Sequence, residues 1–241
     1  MAKLQWILDE TTAHWANKLP IAIKANSPLP QYDGREYRGD PQTWSKHILS
    51  SSFPAFCIIP GSNKLLPSPD NIMGCFKTGL VLEGLALVIM WGGSGMVRNK
   101  NDIYAPSLQD IDHTLQRCLQ TINEQNSIAP SWNMLVNGLA WTDVITSKVL
   151  HFMTRLIGYE NPSVPIDVKV ILKEVWPRFK QSVIDSEKRP TDPKLPDRWR
   201  KGNGWEPYNR YMTAVICWSN IMGWTTTQLE NTIYREYTPP D

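Results

Sequence analysis

Metal and redox chemistry have little to work with in this chain of 241 residues. Its four cysteines (Cys57, Cys75, Cys118 and Cys217) are scattered, with no CxxC pair. That pattern excludes a zinc ribbon or a thioredoxin-like centre, and reads as reduced, mostly buried thiols of a cytoplasmic protein. The four histidines, His14, His47, His113 and His151, have no partner at ligand spacing, so no metal is expected. The run GGSG at 92–95 is not followed by GK[ST], so it is not a phosphate-binding loop, and no cofactor is expected. Long apolar runs are missing too. The longest, Leu80–Trp91, contains Glu83 and is too short to span a bilayer. The opening MAKLQWILDE lacks the basic-then-apolar order of a signal peptide. The expectation is a soluble protein with no membrane partner. Net charge is only +2, so a polyanionic partner has to be argued from local patches. No run alternates apolar and polar residues as a half-buried strand does.

What the chain does have is helical periodicity and aromatic bulk. The 11 tryptophans read first as large core side chains. Residues 1–20 repeat apolar positions at helical spacing. Residues 26–71 are rich in Pro, Gly, Ser and Asn and read as irregular structure. Residues 77–91 read as one buried helix, with a strand the alternative that periodicity leaves open, followed by a glycine-rich break over 92–106. Ser107 reads as the N-cap of a helix over 108–123. Further helices are expected over 133–142, 146–157, 167–180 and 207–222, with Pro130, Pro165 and Pro207 at or just before starts. A last short helix begins at Thr225, and 186–205 is a polar loop. The fold class is mainly α: an irregular N-terminal region over 1–75 packs on a helical core over 76–241, in one or two lobes, and the chain is expected to be a monomer.

Lys148 and Asp167 carry the most chemical information. In SKVLHFMTRLIGYENPSVPIDVKV the lysine opens one amphipathic helix and the aspartate opens the next. From Lys148 to Ile157 the helix runs about 14 Å at 1.5 Å per residue. The connector 158–165 spans up to about 26 Å when extended, so it can return the chain to the starting end. An amine beside a carboxylate is a minimal kit for covalent chemistry at a sugar C1′. The plainer reading is an N-cap aspartate and a surface lysine.

The same segment resembles the core of helix-hairpin-helix DNA glycosylases of the 8-oxoguanine glycosylase type. Ser147-Lys148-Val149 is similar to the family's Thr-Lys-Val, and Val164-Pro165-Ile166-Asp167-Val168 to its Val-Pro-Val-Asp-Val. Asp167 follows Lys148 by 19 residues, the family's spacing. About 30 residues resemble the family strongly, and the order of helices over 77–235 weakly. The resemblance implies a glycosylase fold, duplex DNA with a flipped modified nucleotide as partner, and Lys148 and Asp167 as catalytic residues. It departs in two places. The family's glycine-bearing hairpin corresponds to Thr142–Thr146, which has no glycine, so either the hairpin has another shape or the Thr146 and Ser147 hydroxyls replace part of the phosphate contact. Phe152 stands where purine-specific relatives carry a small cysteine, which argues for a different base or a different stacking geometry.

Further site residues follow from the resemblance. Met96, Arg98, Asn99, Lys100 and Asn101 occupy the place of the family's DNA-probing loop, Met96 as a wedge. Arg198, Arg200 and Lys201 are candidate phosphate contacts. His151, Phe152, Tyr208, Tyr211 and Met212 are candidate walls of the base pocket, although 208, 211, 215 and 218 is also core periodicity. The implied activity is excision of a modified base, leaving an abasic site and possible strand cleavage by the lysine. Relatives that act in anti-phage defence point to a modified cytosine such as glucosylated hydroxymethylcytosine. Alternatives are a repair glycosylase/lyase for oxidised bases such as 8-oxoguanine, a non-catalytic DNA-binding module, and a helical scaffold with no nucleic-acid partner.

Overall fold

The structure is a computed structural model, and it describes residues 23–29, 39–49, 52–166 and 204–237. The described residues are mainly helical, and their one β-type pairing is an isolated bridge between Ile58 and Leu65. Helices α1 (Pro41–Ile48), α2 (Pro69–Lys77) and α3 (Val81–Trp91) come first. Two short helices follow, α4 (Ser94–Arg98) and α5 (Lys100–Ile103). Next are α6 (Leu108–Gln125) and α7 (Ala129–Asn133), the latter running into a π-turn over Met134–Gly138. The set closes with α8 (Asp143–Ile157), α9 (Trp205–Met222) and α10 (Thr226–Tyr237).

Local chemistry accounts for most of these boundaries. Asp40 caps α1, taking the Thr43 N–H at 2.8 Å, with Pro41 in the first turn where its missing N–H costs nothing. The expected irregular region 26–71 therefore holds a helix. Ser68 caps α2 in the same way. Gly79 at φ +77° breaks the expected single helix over 77–91 into α2 and α3. Helix α2 also runs across residue 75, so the expected division between 75 and 76 falls inside a helix. Ser107 caps α6 as expected, and Ile111, Leu115, Cys118 and Ile122 form its buried stripe.

One hydrophobic core joins Trp44, Ile48 and Cys57 to residues as distant as Leu229 and Ile233. Helix α8 runs through its middle, packing on α2, α3, α6 and α7, and every residue from Ile145 to Thr154 is buried. Helix α3 is apolar apart from Glu83, and Gly84 through Met90 are buried. At the edge, segment 23–29 is held on α10 through its main chain. Glu236 accepts the Lys24 and Ala25 N–H groups, Thr232 accepts the Leu29 N–H at 3.0 Å, and Asn231 donates to the Leu29 carbonyl at 2.9 Å. No helix among the described residues is long and apolar enough to cross a membrane.

Candidate active site

Helix α8 begins earlier than its sequence suggests. Thr142 is the N-cap, its hydroxyl facing the Ile145 N–H, and Asp143 lies in the first turn where a carboxylate complements the helix dipole. The residues matched to the glycine-bearing hairpin, Thr142–Thr146, are thus a cap and a helical turn. The reversal of the chain lies one step earlier, over residues 139–142, between the π-turn and α8. There Ala140 takes φ +55°, the left-handed conformation that favours glycine, and the Trp141 indole donates to the Ile103 carbonyl at 3.0 Å. Lys148 consequently stands in the second turn of α8, not its first.

Lys148 is buried, 5% exposed, and its Nζ lies 5.3 Å from the centre of the Trp91 ring. An ammonium withdrawn from water is costly unless compensated, and the π-face supplies part of that compensation. Trp91, the last residue of α3, also stacks on His151 at 6.1 Å and meets Phe152 edge-on at 5.1 Å. The aromatic and cationic groups around Lys148 therefore come from α3 and one face of α8. Sequence reasoning missed Trp91. Its signal was an aromatic closing an apolar helix just before Gly92-Gly93.

The connector after α8 returns as an extended strap. Gly158 ends the helix at φ +80°, and Tyr159 anchors the turn by donating to the Ile122 carbonyl at 2.6 Å. From Pro162 the chain runs back beside α8. The Ser163 N–H donates to Thr154 Oγ1 at 3.0 Å, and the Ser163 carbonyl lies 2.7 Å from His151 Nδ1. The Ile166 N–H donates to Ser147 Oγ at 2.9 Å. On the other side, α9 holds the same strap. The Tyr208 hydroxyl donates to the Val164 carbonyl at 2.7 Å and meets the Ser163 hydroxyl, while the Val164 N–H points at Met212 Sδ. The return geometry expected of this connector is present as far as Ile166, level with Ser147.

Burial, then the positive charges of Arg155 and Lys148, push the His151 imidazole down to about 3, against the Ser163 hydrogen bond. The ring is therefore neutral at physiological pH. A neutral ring bonded to a carbonyl through Nδ1 carries its proton there, which leaves Nε2 as an acceptor. Burial likewise raises the Tyr208 phenol, keeping it a donor to the strap.

The other expected site residues divide clearly. Phe152, Tyr208, Tyr211 and Met212 are fully buried, and His151 almost so. They stand as core and strap supports, not as walls of an open base pocket. Thr146 and Ser147 are fully buried as well, so neither hydroxyl is placed to meet a phosphate. Ser147 is used twice, donating to the Val144 carbonyl and accepting from Ile166. Thr146 lies about 160° around α8 from Lys148 at 3.6 residues per turn. Residues expected as a glycine-rich probing loop form α4 and α5 instead. Met96 is buried against Gly92, where an added Cβ would stand 2.0 Å from its sulfur, so it is no wedge. Arg98, Asn99 and Asn101 are exposed and Lys100 half-buried, which leaves a polar, basic face. Asp167, Arg198, Arg200 and Lys201 lie outside the described residues.

A cleft of about 600 Å³ opens at the far end of α8, lined by Arg155, Tyr159, Pro162 and Gln228 among others, and none of the candidate residues lines it. Among the described residues no group of His, Cys, Asp or Glu is arranged to hold a metal ion. Comparison with known proteins returns no matching family model, no matching curated protein and no matching solved structure.

Proposed function

We propose that this chain is a DNA glycosylase that removes a modified base by covalent chemistry at Lys148. One observation carries the reading: a lysine amine is enclosed between Trp91 and α8 at the level where the strap returns, and Asp167 follows Ile166 directly in the chain. A nucleophilic lysine needs a group that takes its proton, and the carboxylate of Asp167 is the one proposed. In the proposed reaction Asp167 takes the Lys148 proton. The amine attacks C1′ of a nucleotide rotated out of the duplex, the glycosidic C–N bond breaks, and the base leaves with its electron pair and is protonated. The C1′–O4′ bond then opens, the proton left on the attacking nitrogen passing to O4′, to give the Schiff base, which water hydrolyses either directly or after β-elimination has expelled the 3′ phosphate. Rotating the nucleotide out costs a few kcal/mol of stacking and pairing. The exposed side chains of Arg98, Asn99 and Asn101 are suited to phosphates and base edges.

The half-buried Trp91 ring beside Lys148 offers a flat apolar face, and such faces pack against bases and pyranose rings alike. The substrate proposed is a modified cytosine such as glucosylated hydroxymethylcytosine, with abasic sites in invading viral DNA as the outcome, and 8-oxoguanine is the alternative. The test is borohydride trapping on duplexes carrying each base, with released bases identified by mass spectrometry. Wild type should trap and release base, while Lys148→Gln and Asp167→Asn should not. Equal trapping by wild type and Lys148→Gln sinks the assignment. A non-catalytic DNA-binding module is favoured by one observation: at 5% exposure, the Lys148 amine needs an opening to reach C1′. Salt-dependent gel shifts without any trapped adduct would decide for the binding module.

A further inference from the structure

Away from Lys148, two nucleophilic side chains meet face to face. Cys57 ends the 3-10 turn Ala55–Cys57, and Cys75 lies in α2. Both are free thiols with no exposed surface, and their sulfur atoms are 3.5 Å apart. The turn is seated on α2 by adjacent contacts. Phe56 lies over Gly74, where an added Cβ would stand 3.1 Å from the ring, and Cys57 lies over Cys75. The backbone is pinned on both sides. The Cys57 N–H donates to the Pro54 carbonyl at 2.9 Å, the Cys57 carbonyl accepts the Leu66 N–H at 2.8 Å, and the Cys75 carbonyl accepts the Leu80 N–H at 2.9 Å. A disulfide needs a sulfur separation of about 2.05 Å. The two sulfurs therefore have about 1.5 Å to close.

We infer that Cys57 and Cys75 are a reversible disulfide site, closed by a diffusible two-electron oxidant such as a peroxide or a diazene. In the closing step the two S–H bonds break and one S–S bond forms. Two electrons and two protons pass to the oxidant, so that a diazene becomes the hydrazine and a peroxide becomes water and alcohol, or two waters. The hydrogen bond with Cys57, followed by burial, pushes the Cys75 thiol up, so thiolate is scarce while the turn stays seated. Closure therefore waits on opening of the turn, whose outer cover is the half-exposed Phe56. Because α2 packs on both α3 and α8, the bond would tie the turn Ala55–Cys57 to a helix that touches the two helices carrying Trp91 and Lys148.

The experiment treats the folded full-length chain with the diazene diamide, blocks remaining thiols after unfolding, and maps the peptides. The expected result is a cross-linked peptide joining Cys57 to Cys75, a chain mass lower by two hydrogens, and a raised thermal midpoint, all reversed by a dithiol. Recovery of both residues as blocked thiols after an exposure that consumes the half-buried Cys217 overturns the inference. A cross-link from Cys57 or Cys75 to Cys118 or Cys217 overturns it equally. Wild-type protein suffices, so no core substitution has to fold.

Discussion

The Ser147 hydroxyl receives the backbone N–H of Ile166 at 2.9 Å, across a separation of 19 residues. Its own proton goes to the Val144 carbonyl one turn back. One small side chain in α8 thereby sets where the returning strap comes to rest, immediately before Asp167 and immediately beside Lys148 in sequence.

Ser147→Ala removes that acceptor and leaves the buried Ile166 N–H without a partner. Such a loss costs about 1–3 kcal/mol. Urea unfolding of the variant should show a lower midpoint with an unchanged slope. Adduct trapping should fall with it, because the strap end is no longer fixed. A midpoint equal to wild type would show that the bond contributes nothing.

His151 predicts an acid limb in stability. Its folded value of about 3 lies below the ordinary histidine value of 6.5. The unfolded chain thus binds a proton through this window that the folded chain refuses, so stability is full above 6.5 and falls as pH drops toward 3. Between pH 7 and pH 5 the loss from this residue is about 2 kcal/mol. His151→Gln, which does not titrate and can still donate to the Ser163 carbonyl, should flatten that part of the curve. Parallel curves for the two proteins from pH 7 to pH 5 would show that His151 is not the group responsible.

Ala140 is a non-glycine residue in left-handed backbone, at φ +55°. The steric conflict of its Cβ there costs roughly 1–2 kcal/mol, partly offset by the greater freedom of an unfolded glycine. Ala140→Gly should therefore raise the thermal midpoint, by an amount equivalent to about 1 kcal/mol or less. Calorimetry measures it directly, and a lowered midpoint would mean that the Ala140 methyl packs better than its backbone conformation suggests.

Much of the helical order was legible because capping and periodicity are local. Ser107 with its stripe at 111, 115, 118 and 122 announced α6 within two residues of its end. Asp40-Pro41 announced α1 just as plainly, but the surrounding prolines and glycines masked it. The turn before α8 was misplaced because its left-handed residue is an alanine, which carries no turn signature. The return of the strap was legible from lengths alone, since eight extended residues outreach a short helix. What held the strap was not, because Ser147, Thr154, His151 and Tyr208 act on main-chain groups and leave no pairing pattern. The burial of Lys148 depends on Trp91, from a helix far away in sequence, and periodicity within α8 says nothing of it. The aromatic spacing in α9 fitted both a pocket and a core, and the packing made it core.

Segments without regular structure are ordinarily the first to open. The strap is an exception by construction, because the partners of its peptide groups are side chains from helices on opposite sides. Pulling it free breaks buried bonds to α8 and α9 together, so 162–166 opens with the centre of the molecule rather than ahead of it. The least regular stretch of the candidate site therefore belongs to the same cooperative unit as its most buried helix.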